Sequence, residues 1–99
     1  MNLRYTWNET KRRKNLRKHG LDLRDGWKVL ESRYRLEVGS ARDHEPRQQV
    51  FAYVYGVLSV LSLVYVPDED AIHFISLRRA SRKEREVYYA WLDSEDVQP

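Results

Sequence analysis

Two short stretches of this chain place chemically capable side chains at spacings that would bring them together. In the first, Lys11, Asn15 and Lys18 fall at i, i+4 and i+7, one face of a helix, with His19 at its end. Together they offer positive charge, an amide for hydrogen bonding and one group that titrates near neutral pH. In the second, Arg78, Arg79, Arg82 and Glu84 cluster where a strand hands over to a helix. Arginine at a helix N-terminus can grip phosphate in a bidentate fork, with the helix end assisting. These parts suit cleavage of RNA without a metal ion. That reaction needs a base for the 2′-OH, cations for the charged phosphorane and an acid for the leaving 5′-oxygen. Each residue also has a plainer reading: His19 as partner of a helix dipole, Glu84 as the far member of a capping box, Tyr88 as core.

The composition sets the frame. Ninety-nine residues make one domain with a modest core, here read as 1–92 followed by a short acidic tail, 93–99. At 41% hydrophobic, 33% charged and a mean hydropathy of −0.78, the chain has an ordinary globular balance. Twelve per cent aromatics argue against intrinsic disorder. There is no cysteine, hence no disulfide framework and no thiolate site, and the three histidines are scattered over different elements. Neither a metal nor another cofactor is called for. The opening residues lack an apolar secretory segment, so a cytoplasmic location is expected. The net charge of +3 is unevenly spread. Positions 11, 12, 13, 14, 17 and 18 are all Lys or Arg, without an intervening acid. A basic patch of this kind is the footprint of a polyanionic partner.

Elements that could hold these residues follow from the pattern. A short extended segment, Leu3 to Trp7, precedes Asn8, an N-cap for a helix that Gly20 closes. Asp22 caps a second helix with Leu23, Trp27 and Leu30 as its buried stripe. Tyr34, Leu36 and Val38 alternate with charged residues as a half-buried strand, and a polar loop runs from Gly39 to Pro46. Ser81 opens the last helix with the capping box Ser81-Arg82-Lys83-Glu84, and Val87, Tyr88, Trp91 and Leu92 form its apolar face. The seventeen residues from Val50 to Val66 carry no charge. They are long enough to compete as a membrane span, but Val and Tyr abound, Gly56 sits centrally, and the two amphipathic helices need a core. Two buried strands joined near Gly56, with Ile72 to Leu77 as a further strand, are therefore expected. The order predicts an α+β domain with an antiparallel sheet and helices on both faces.

The motifs themselves resemble a known family. Trp7-Asn8-Glu9-x-Lys11-x3-Asn15-x2-Lys18-His19-Gly20 is similar to the opening signature of the BrnT toxins, and Ile75-Ser76-x-Arg78-Arg79-Ala80-Ser81-x2-Glu84-x3-Tyr88 to their closing one. The resemblance implies a RelE-like fold and a ribonuclease toxin that stops translation. It also implies a BrnA-type antitoxin with a ribbon-helix-helix DNA-binding domain, the pair repressing its own operon. By motif position Lys11, His19, Arg78 and Glu84 are the catalytic candidates, with Asn15, Lys18, Arg79 and Arg82 as RNA contacts. The sequence departs from the pattern where Asp68 and His73 replace arginines. A second reading is therefore a catalytically weakened partner of the antitoxin that acts as co-repressor. A third takes helix, Gly20, helix as a DNA-binding helix-turn-helix, although the charge lies on the wrong helix for it.

Overall fold

The computed structural model describes residues 4–39 and 46–95, so most of the polar loop after Gly39 and the end of the acidic tail lie outside the described residues. The charge-free stretch forms two long strands, β3 (Gln48–Val54) and β4 (Ser59–Pro67), paired antiparallel. Their turn lies near Gly56, but the left-handed position belongs to Leu58, at φ 58°. Strand β5 (Ala71–Arg79) pairs antiparallel with β4, and β2 (Arg35–Gly39) with β3. None of the described helices is long and apolar enough to cross a membrane.

The antiparallel expectation holds for four strands and fails for the fifth. Strand β1 (Arg4–Trp7) lies beside β5 and parallel to it, giving the mixed order β1-β5-β4-β3-β2. The short β3–β4 and β4–β5 turns force those three strands to alternate in direction, and β2 pairs antiparallel with β3. The first strand is free of that constraint, because three helical segments carry the chain from one sheet edge to the other. Tyr5 and Trp7 stack on Phe74 and fix β1 in this register.

One face of the sheet is covered by α1 (Glu9–His19), a 3₁₀ turn (Leu23–Gly26) and α2 (Trp27–Leu30). Leu23, Val29, Val50, Leu61, Leu63, Phe74 and Leu77 form the core there. Against expectation, the segment after Asp22 is a 3₁₀ turn and a single α-turn rather than one helix. The tighter period turns Gly26 and Val29 inward and leaves Trp27 43% exposed. Gly26 is needed at this contact, since a Cβ would stand 2.9 Å from Leu63 Cδ1 and 3.1 Å from the Phe74 ring. An element this short, with Leu23 and Val29 in the core, cannot serve as a recognition helix, which removes the helix-turn-helix reading.

The opposite face packs under α3 (Arg82–Glu95) through Phe51, Val60, Ala80 and Tyr88, with Leu36, Val38, Trp91 and Leu92 around them. Val87, expected on the apolar face, is exposed, and α3 runs on into the acidic segment as far as Glu95. In β5 the register skips Ile75: Val64 pairs with Ser76 and Tyr65 with Phe74. That bulge lets Phe74 and Leu77, three residues apart, enter the same core.

Candidate functional site

Helix α1 is closed at both ends as its sequence requires. Asn8 Oδ1 accepts from the Lys11 N–H at 3.0 Å, and Gly20, at φ 69°, donates to the Leu16 carbonyl. Its one buried residue is Asn15, 7% exposed. The Asn15 amide donates to the carbonyls of Leu77 (2.8 Å) and Leu21 (2.9 Å), and its oxygen accepts from the Leu77 N–H (3.0 Å). Strand β1 ends opposite Phe74, so Asn15 supplies the hydrogen bonds that a continuing strand would give the β5 edge. Both amide protons are thus committed inside the protein. Asn15, expected among the RNA contacts, lines the groove with both of its donors already engaged by the backbone of Leu21 and Leu77.

This clip sets the basic face of α1 against the bulge of β5. Between them lies an open groove of about 250 Å³ lined by Lys11, Lys14, Asn15, Lys18, His19, Ile75 and Ser76. Lys14 is the residue that the i, i+4, i+7 reading missed. Its i+3 offset from Lys11 was the available signal. The charge of the helix is not uniform, since Arg12 is tied to Glu9 at 2.6 Å and to Asp22 at 3.3 Å. Lys11, Lys14 and Lys18 have no acidic partner among the described residues.

His19, half-buried, closes the groove at the helix C-terminus. Burial lowers its pKa below the usual imidazole value, and the charges of Lys18 and Arg78 push the same way. The ring is therefore held toward its neutral, proton-accepting form. Its backbone carbonyl accepts from Arg79 Nη1 at 3.3 Å, which ties the end of α1 to the end of β5.

Arg78 points to the other sheet face. Its guanidinium forks onto Glu84, Nη1 to Oε1 at 2.7 Å and Nη2 to Oε2 at 2.9 Å. The capping box is real: Ser81 N donates to Glu84 Oε1 and Glu84 N to Ser81 Oγ. Gln49 Nε2 bridges Ser62 Oγ at 2.9 Å and approaches Glu84 Oε2 at 3.4 Å. Chiefly through the Arg78 hydrogen bonds, and despite burial, Glu84 is pulled down to about 2. A carboxyl held so firmly ionised is poorly matched to proton transfer near neutral pH. What it does here is orient Arg78.

The other sequence candidates are spread out. Arg82 is largely exposed and pairs with Glu86 along α3, away from the groove. Tyr88 is buried, donating to the Tyr34 carbonyl (2.8 Å) and accepting from Tyr53 N (3.3 Å), so it belongs to the core. His73 meets Thr6 Oγ1 at 2.8 Å on the β1–β5 pair, and Asp68 caps the β4–β5 turn. His73 lies five residues from Arg78, roughly 16 Å along an extended strand. Among the described residues no group of three His, Cys, Asp or Glu could hold a metal.

The fold is an α+β domain whose groove concentrates positive charge beside a neutral-leaning imidazole. The family model described as "Ribonuclease toxin, BrnT, of type II toxin-antitoxin system" matches residues 7–84, and the chain belongs to that family. The family is one of ribonuclease toxins, and a type II system pairs each toxin with an antitoxin. None of the curated proteins compared with the chain matches it.

Proposed function

We propose that this chain is an active endoribonuclease toxin that cuts RNA without a metal ion and so inhibits translation in the cytoplasm. The observation that carries this reading is the groove, where His19 sits among lysines and is tied through Arg79 to the strand end that bears Arg78. RNA lies along α1 with its phosphates on Lys11, Lys14 and Lys18. His19 takes the 2′-OH proton, O2′ attacks phosphorus and the bond to O5′ breaks, leaving a 2′,3′-cyclic phosphate. Arg78, with Arg79, stabilises the developing charge. Lys18, whose charge already bears on His19, protonates the leaving 5′-oxygen in this reading. Lys11, eight residues away and roughly 12 Å along the helix axis, holds the backbone instead. The reading extends to a RelE-like fold and to a BrnA-like ribbon-helix-helix antitoxin that brings the pair to operator DNA.

One observation favours the weakened-enzyme alternative. Both terminal nitrogens of Arg78 are engaged by Glu84, so a phosphate must share or displace that carboxylate. Incubating the purified protein with RNA in EDTA separates the two. Cleavage with cyclic-phosphate ends supports the enzyme; intact RNA from a protein that still binds its antitoxin supports the inactive partner.

A further inference from the structure

A second cavity opens on the far side of Arg79. It measures about 290 Å³, lies between the β3–β4 turn and α3, and is lined by Tyr53, Leu58, Val60, Arg79, Arg85 and Tyr89, among others. Its two tyrosine rings are 39% and 43% exposed, so neither is consumed by the core. They are nonetheless held. Tyr89 stands edge-on to Tyr88 at 5.3 Å, and Tyr88 is itself hydrogen-bonded to Tyr34 and to the backbone of Tyr53.

The cations of this cavity differ from their neighbours. Arg78 and Arg82 have carboxylate partners, whereas Arg79 and Arg85 have none among the described residues. Each is anchored through one nitrogen to a backbone carbonyl, Arg79 to His19 at 3.3 Å and Arg85 to Ala80 at 2.9 Å. Their other N–H groups remain available to an anion. Leu58 adds an apolar wall while 69% exposed and in a left-handed conformation, a backbone cost that its burial does not offset.

Aromatic faces beside unpaired guanidinium groups fit an unstacked nucleobase with its phosphate. At the small end of ligand-pocket volumes, about 300 Å³, the cavity has room for one nucleotide. Because Arg79 also holds the carbonyl of His19, that nucleotide is next to the groove. We infer that this cavity is a nucleotide subsite, taking one unpaired nucleotide of the RNA beside the scissile phosphate. Its base lies against Tyr53 and Tyr89 and its phosphate on Arg79 and Arg85. The inference rests on the ribonuclease reading and names where that site holds its substrate.

The test uses the full chain, a short single-stranded oligoribonucleotide of mixed sequence and its uncleavable 2′-O-methyl analogue. Ultraviolet cross-linking of the analogue, followed by peptide mass spectrometry, should place adducts on Tyr53 or Tyr89. Tyr89→Ala should raise KM for the cleavable oligonucleotide roughly 10- to 100-fold with kcat little changed. Tyr89→Phe should restore it, since stacking needs the ring and not the hydroxyl. RNA cleavage by the wild type with adducts elsewhere, and a KM untouched by Tyr89→Ala, would overturn the subsite and leave the ribonuclease intact. Loss of antitoxin binding in Tyr89→Ala with an unchanged KM would also overturn it, assigning the cavity to the antitoxin. A wild type that neither binds nor cuts RNA would sink both readings together.

Discussion

Asn15 and Leu77, sixty-two residues apart, are joined by two hydrogen bonds, the Asn15 amide meeting both the carbonyl and the N–H of Leu77. This pair decides where the basic helix lies. It registers α1 on β5 one residue before Arg78, so the groove and the arginines share an edge.

Asn15→Leu should therefore cost stability as well as function. Three backbone groups lose their partner in a buried place, at about 1–3 kcal/mol for each left unsatisfied. The expected loss is therefore at least about 3 kcal/mol. Urea denaturation of the variant should show an earlier midpoint with an unchanged slope.

Arg78 and Glu84 should separate in activity. On the proposed mechanism Arg78→Ala removes the guanidinium that stabilises the developing charge once a phosphate shares or displaces Glu84, a loss of about 10²–10³ in rate. Glu84→Gln loses the orienting fork but no proton-transfer group, so it should fall well short of the 10²–10⁴ expected of an acid or base. Equal losses in single-turnover RNA cleavage would mean that Glu84 does more than orient. Glu84 also predicts an acid limb of stability. Its folded pKa of about 2 lies below the unfolded value of 4.5, so its contribution is fully present above pH 4.5. It is lost as pH falls toward 2, a limb that Glu84→Gln should flatten.

His19 gives the rate its pH dependence. With its pKa lowered by burial, Lys18 and Arg78, cleavage should rise with pH on a limb centred below the ordinary imidazole value of 6.5. Lys18→Ala removes the proposed acid and one of the repelling charges, so it should lower the rate and move what remains of that limb to higher pH. A limb that stays in place would separate the rate from His19.

Salt dependence should report the groove lysines one at a time. For single-stranded RNA each neutralised phosphate contributes about 0.7 to the slope of log K against log salt. Lys11→Ala, Lys14→Ala and Lys18→Ala should each lower the slope by about that amount. Arg12→Ala should leave it almost unchanged, because Arg12 is already matched by Glu9 and Asp22.

Gly26→Ala should destabilise the fold by about 1–3 kcal/mol, the usual cost of an overpacked core. The added methyl would press on Leu63 and Phe74, and thermal melting should show the loss without any change in RNA affinity.

Local chemistry explains what could be read from the chain alone. The caps at Asn8, Gly20 and Ser81, the charge-free pair of strands and the basic character of α1 all depend on neighbours within a few residues. So does the family signature, which is a pattern of spacings. Tertiary structure decided the rest. Whether β1 runs parallel to β5 depends on a partner at the other end of the chain, which no short window contains. Trp27 and Val29 exchanged places because a 3₁₀ turn, pressed against Leu63 and Phe74, has a different period from the α-helix that propensity favours. Asn15 and Glu84, each placed by sequence among groups offered to RNA, were turned inward by Leu77 and Arg78. The type of a side chain says which hydrogen bonds it can make, and only the packed fold determines which of them are already taken.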